Sequence, residues 1–171
     1  RAIDEYEFNN ASMVVYQFAW HEFCDWYIEL SKDELKAGGE AQAAARYVLV
    51  RCLDRMLRLL HPFMPFLTEE LWQNINSSMS ADWHAGDSII IAPYPQANEK
   101  AIDTKAEQVM ESIIEIVRSI RNARAEHNVE NSKWIQAQIY GGKLANEIRP
   151  YASAIETLSR AKPVTILDGT K

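Results

Sequence analysis

Two groups of arginines are the residues here whose type and spacing could do chemistry. Arg51, Arg55 and Arg58 recur at i, i+4 and i+7, and Arg118, Arg121 and Arg124 recur every three residues. On a helix the first set shares one narrow face, while the second spreads over about 120° of arc. Guanidinium groups suit contacts to phosphate oxygens and base edges. Asn122, Asn128 and Lys133 stand close to the second set and add amide and ammonium donors. Each set also has an intramolecular reading. Glu22, Asp25, Glu29 and Asp33 form an acidic stripe that Arg51, Arg55 and Arg58 would meet if two neighbouring helices pack antiparallel. Glu111 and Glu115 offer Arg118 partners on its own helix, and late-helix cations complement the helix dipole.

Other site chemistry finds little support. His21, His61, His84 and His127 are scattered, and none lies near a cysteine or acid at metal-ligand spacing. Cys24 and Cys52 fall on apolar helix faces and read as buried, inert thiols. No glycine-rich phosphate loop, GxSxG or HExxH pattern occurs, so the reading assigns the chain no catalytic, metal-binding or cofactor-binding residue. Among the tryptophans, Trp20 and Trp72 read as core, Trp26 as partly exposed, and Trp83 and Trp134 as the two that could stack on bases.

Composition sets the frame. The 171 residues carry 47% hydrophobic and 25% charged side chains, six glycines and six prolines, as in an ordinary globular chain with a sizeable core. Two cysteines make no disulfide framework and point to a reducing, cytoplasmic setting. No apolar run approaches the length of a membrane span. The net charge of −6 argues against coating nucleic acid non-specifically and confines any such contact to a local basic patch. A start at Arg1, with neither Met nor leader, reads as a segment of something longer.

The positioning elements are mostly helices. Met13, Tyr16, Trp20, Phe23, Tyr27 and Leu30 predict a core-facing stripe on one helix over about 5–35, ended by Gly38-Gly39. A second helix fits Glu40–Leu60, stopped by His61-Pro62. Thr68 reads as the N-cap of a short third helix bearing Trp72. Ser88–Ala92 reads as extended, and a fourth helix follows over about 99–127. The tail alternates over Trp134–Tyr140, turns at Gly141-Gly142, reads helical over Leu144–Ala161 and ends in a strand over Val164–Leu167. The fold expected is mainly α: an antiparallel helix bundle over 1–130, with a truncated strand–helix–strand appendage over 131–171 whose strands pair in parallel.

Three segments carry a family resemblance. Tyr6-Glu7-Phe8-Asn9 with Tyr16–Trp20 and Phe23–Glu29, then Leu60–Trp72, then Ile120–Glu126 with Asn128-Val129, resemble the anticodon-binding helical domain of the valyl-tRNA synthetases. The likeness runs in family order over nearly the whole chain. Its Pro-Phe-x-x-Glu-Glu-x-Trp pattern is shared loosely with the isoleucyl and leucyl enzymes, and Phe23-Cys24-Asp25-Trp26-Tyr27 tilts it to the valyl enzyme. The resemblance implies a C-terminal module of a class I aminoacyl-tRNA synthetase, working beside catalytic and editing domains of the same parent chain. That parent would use ATP and Mg to esterify valine to its tRNA. This module would receive the anticodon stem-loop, with no cofactor of its own. The corresponding domain of the isoleucyl or leucyl enzyme, and a helical protein-interaction module, remain alternatives.

Overall fold

The structure, a computed structural model of the chain, describes residues 2–79 and 86–169. The chain divides into two compact units, Arg1–Ala97 and Asn98–Lys171. The boundary expected at 130/131 therefore falls inside the second unit. Trp83 and His84 lie outside the described residues. The architecture is mainly α-helical with one small parallel sheet, as expected.

The first unit begins with α1 (Phe8–Phe18), which passes directly into a π-helical segment, Ala19–Tyr27. Two short helices follow, α2 (Ile28–Leu30) and α3 (Lys32–Ala37). The single helix expected over 5–35 is thus interrupted, with a consequence for what faces inward. A π turn holds more residues than an α turn, so side chains after its start no longer extend a 3.6-residue stripe. Phe23 and Trp26 are buried, whereas Met13, Tyr16 and Trp20 face solvent. Trp20 is 52% exposed and Trp26 only 5%, the reverse of the sequence expectation. Gly38 and Gly39 then take φ values of +78° and +62°, a backbone that disfavours other residues and separates α3 from the next helix.

That helix, α4 (Gly39–Leu60), packs against α5 (Pro65–Ser78) around Leu57, Trp72 and Ile89, with Leu53, Ile75 and Ala92 alongside. Pro65 occupies the first turn of α5, where its missing N–H costs nothing. Thr68 therefore sits inside the helix and is not its N-cap. Its buried hydroxyl donates to the Met64 carbonyl at 2.8 Å and lies 2.8 Å from His61 Nδ1. Asp54 is buried between the two helices. Its Oδ1 accepts from Trp72 Nε1 at 2.8 Å and from Arg58 Nε at 2.9 Å. Arg58 Nη1 continues to the Pro93 carbonyl at 3.2 Å, which ties the proline-rich segment to α4.

Ser88–Ala92 is not extended but forms a 3-10 turn over Ile89–Ile91, with the Ser88 hydroxyl accepting from Ile90 N–H. Glu69 on α5 clamps this turn. Its Oε2 accepts from Ser88 Oγ at 2.7 Å and from Ile89 N–H at 3.2 Å, and its Oε1 from Gln73 Nε2 at 2.8 Å.

In the second unit, Asp103 caps α6 (Thr104–Glu126) by accepting from the N–H groups of Lys105 and Ala106. The helix thus starts after the 3-10 turn Glu99–Ala101 and not at Glu99 as expected. β1 (Ile135–Tyr140) and β2 (Ala161–Leu167) pair in parallel, Ala137 opposite Val164 and Tyr140 opposite Leu167. The crossover is helical but broken into α7 (Ala145–Ile148) and α8 (Ala152–Ser159), separated by a 3-10 turn containing Pro150. Gly141 turns the chain after β1, and a Cβ there would stand 2.7 Å from the Ala145 Cα, a close approach only glycine allows. Ile113 and Val117 of α6, with Ile148, Ile155 and Ala161, are fully buried in this unit.

Two outcomes follow. Trp72→Phe keeps an aromatic ring but removes one of the two donors to the buried Asp54 carboxylate, and should cost about 1–3 kcal/mol in urea unfolding. The hydrogen bond from Gln73, reinforced by those from Ser88 and Ile89, holds the Glu69 carboxyl below its usual range. A depressed folded-state value stabilises above the unfolded pKa and is lost as pH falls through the folded one. The stability gap between wild type and Glu69→Gln should therefore be full at neutral pH and shrink below about pH 4, read as unfolding midpoints across that range.

Candidate nucleic-acid interface

On α4 the arginine stripe splits by function. Arg58 is largely buried, with its side chain committed to Asp54 and the Pro93 carbonyl. Arg51 and Arg55 are exposed. Two acids of the stripe expected to pair with them have partners in their own segment: Asp25 lies beside His21, and Glu29 pairs with Lys32 at 2.5 Å. A local partner three or four residues away needs no cross-helix alignment. Tyr47, one turn before Arg51, is also exposed on this side of the helix. The sequence reading missed it, although its i−4 relation to Arg51 was the available signal.

The α6 cluster also separates. Arg124 is 6% exposed, and its Nη1 and Nη2 donate to the carbonyls of Arg160 (3.1 Å) and Glu130 (2.9 Å). It closes the loop after α6 onto Arg160, the residue just before β2. Its guanidinium is consumed there, which takes it out of the surface cluster. Arg160 repeats the device, donating to the Asn131 carbonyl at 2.6 Å and accepting from Ile135 N–H through its own carbonyl. Arg121 is exposed, with Nε donating at 2.9 Å to the Leu158 carbonyl in the last turn of α8. Arg118, Asn122 and Lys133 are exposed. Within this unit the surface donors are thus Arg118, Arg121, Asn122 and Lys133, on or just after α6.

The cysteines lie half-buried and unpaired with each other. Burial pushes the Cys52 thiol up, with Arg55 offsetting it in part, so its reactive thiolate is scarce at neutral pH. Among the described residues no group of three His, Cys, Asp or Glu is placed to hold a metal ion, and no helix is long and apolar enough to cross a membrane. Trp72, 1% exposed, is a packing anchor, whereas Trp134 is 52% exposed.

The first unit thus carries two exposed arginines on α4, and the second carries exposed donors on and just after α6. The family model for the anticodon-binding domain of tRNA ligases matches residues 1–139, and the chain belongs to that family. Among curated relatives it is 53% identical over 169 residues to a valine–tRNA ligase of Dehalococcoides mccartyi strain CBDB1, covering 99% of this chain and 19% of the relative. It is 45% identical to the valine–tRNA ligase of Pseudothermotoga lettingae, covering 94% of this chain and 17% of that protein. For that of Thermotoga maritima the figures are 44%, 85% and 16%. The chain spans about a fifth of the length of the first of these relatives.

Arg124→Ala removes a buried guanidinium that holds two backbone carbonyls and should lower the stability of the chain by about 2–4 kcal/mol. Asn122→Ala on the open face of the same helix should change it by less than about 0.5 kcal/mol. Thermal or urea unfolding of both variants checks the contrast.

Proposed function

We propose that this chain receives the anticodon stem-loop of tRNA(Val) as the anticodon-binding part of a valine–tRNA ligase. The observation that carries the reading is the exposed row on α4, where Tyr47, Arg51 and Arg55 follow one another at one-turn spacing. An exposed ring and two guanidiniums suit a loop whose unpaired bases splay out and stack while its phosphates meet cations. Arg118, Arg121, Asn122 and Lys133 are a second set of contacts in the same role. Arg58 and Arg124 act through the fold, as positioning residues. The chain itself holds no catalytic group in this reading. ATP and Mg serve the parent enzyme's catalytic domain, which charges the tRNA with valine in the cytoplasm.

A net charge of −6 is compatible with this role, because a few fixed donors can select a loop while other parts of a ligase neutralise most of the phosphates. One further observation favours contact with protein as well. Ile3, Val14, Val15, Leu59, Phe63 and Tyr94 help line a groove of about 650 Å³ in the first unit. In a full ligase this groove and the outward aromatics of α1 suit the catalytic and editing domains of the same chain.

Fluorescence anisotropy of a labelled anticodon stem-loop at low salt tests the reading. Binding should be weak, steeply salt-dependent and tighter for the valine sequence than for an unrelated loop. Arg51→Ala or Arg55→Ala should each reduce the slope of log affinity against log salt by about one, with the melting temperature unchanged. Equal affinity for both loops would overturn the recognition claim and leave a protein-docking module.

A further inference from the structure

Strand β1 has one row of side chains that the fold does not use. Burial alternates along it: Ile135, Ala137 and Ile139 turn inward, while Gln136, Gln138 and Tyr140 are exposed, and Trp134 just before the strand is exposed as well. Period-two alternation puts Trp134, Gln136, Gln138 and Tyr140 on one face. Among the described residues none of these four side chains makes a hydrogen bond, and neither ring meets another. Trp134 and Tyr140 are 52% and 44% exposed.

The row's chemistry is specific. Aromatic planes at both ends, about 20 Å apart along the strand, give two separate stacking surfaces. The two amides between them donate and accept, as base edges require. Exposed Lys133 and Lys143 flank the strand at its two ends. At the Tyr140 end, β1 borders a groove of about 380 Å³ against α6, lined in part by Ser112, Glu115, Ser119, Gln138 and Tyr140. A carboxylate and two hydroxyls beside an aromatic ring are the groups that accept from exocyclic amines and settle a base stacked there. The outward row of β1 holds no aliphatic side chain, whereas the groove also carries Ile116, Ile120, Ile139, Leu144 and Ile148.

We infer that the outward face of β1, with the α6 groove at its Tyr140 end, is a second RNA contact that stacks unpaired bases on Trp134 and Tyr140 and reads them through Gln136, Gln138 and Glu115. The inference rests on the tRNA reading above but uses a surface other than the α4 row, with Lys133 common to it and to the α6 set. The α4 row meets phosphates through fixed charge, whereas β1 meets bases through π faces and amides. Its contribution is therefore less salt-sensitive and depends on unpaired nucleotides.

The test uses the whole chain, with the labelled stem-loop and an unstructured single-stranded RNA of the same loop sequence as probes. Trp134→Ala and Tyr140→Ala should each weaken binding of both probes about tenfold. Tyr140→Phe should bind as wild type, and Tyr140→Leu, which keeps apolar bulk without the ring, should behave like alanine. Melting temperatures should stay unchanged, since both rings lie at the surface. If the alanine variants bind like wild type while Arg51→Ala binds more weakly, the β1 inference is overturned and the α4 reading stands, leaving the strand face to a protein neighbour. If wild type binds neither RNA, both readings fail together.

Discussion

The buried carboxylate of Asp54 is the constraint around which the first unit is organised. An ionised carboxyl away from water is costly unless donors surround it. Here Trp72 Nε1 and Arg58 Nε both reach Oδ1, one from the neighbouring helix and one from the next turn of its own. The indole cannot donate unless α5 lies against α4 at one depth and rotation. Arg58 cannot satisfy both Asp54 and the Pro93 carbonyl unless the proline-rich segment returns to the same place. One acidic side chain thereby fixes two helices and a loop. The same arrangement decides which arginines remain for a ligand, because Arg58 is held in and Arg51 and Arg55 stay out.

The second unit solves a related problem without an acid. Its two-stranded parallel sheet is too small to be stable alone and needs helical cover. Burial of Ile113, Val117, Ile148 and Ile155 supplies part of that. The irregular stretch between α6 and β1 is secured by Arg124 and Arg160, whose guanidiniums bind backbone carbonyls instead of carboxylates. Carbonyls in loops are acceptors that burial would otherwise leave unsatisfied. In both units an arginine that looked like a ligand contact is spent on positioning its neighbours.

Much of this was legible from the residues and some was not. Gly38-Gly39, His61-Pro62 and Gly141-Gly142 marked real breaks because their backbone chemistry is local. The parallel pairing of β1 with β2 followed from strand–helix–strand order. Trp26 is buried out of turn because a 3.6-residue period was assumed across a segment that adopts π geometry, whereas Trp20 is exposed along with Met13 and Tyr16 on the regular helix before it. Thr68 resembled an N-cap, yet Pro65 could open the helix three residues sooner. Three-residue spacing could not tell Arg118 from Arg124, since the difference is made by Glu130 and Arg160, which reach Arg124 only after folding. On α4 the sequence named three arginines alike, and only folding separates Arg58, held by Asp54, from Arg51 and Arg55, which stay exposed next to Tyr47.

The tryptophans carry an optical consequence. Trp26 and Trp72 lie in the interior of the first unit, Trp20 stands on its surface, and Trp134 is the single tryptophan of residues 98–171 and stands in solvent. Shielded indoles emit toward the blue and resist collisional quenchers, while wetted ones emit toward the red and are quenched readily. The tryptophans among the described residues therefore fall into two emitting populations. The quencher-accessible, red-shifted one includes the indole of Trp134, a native dye already seated at the edge of the sheet.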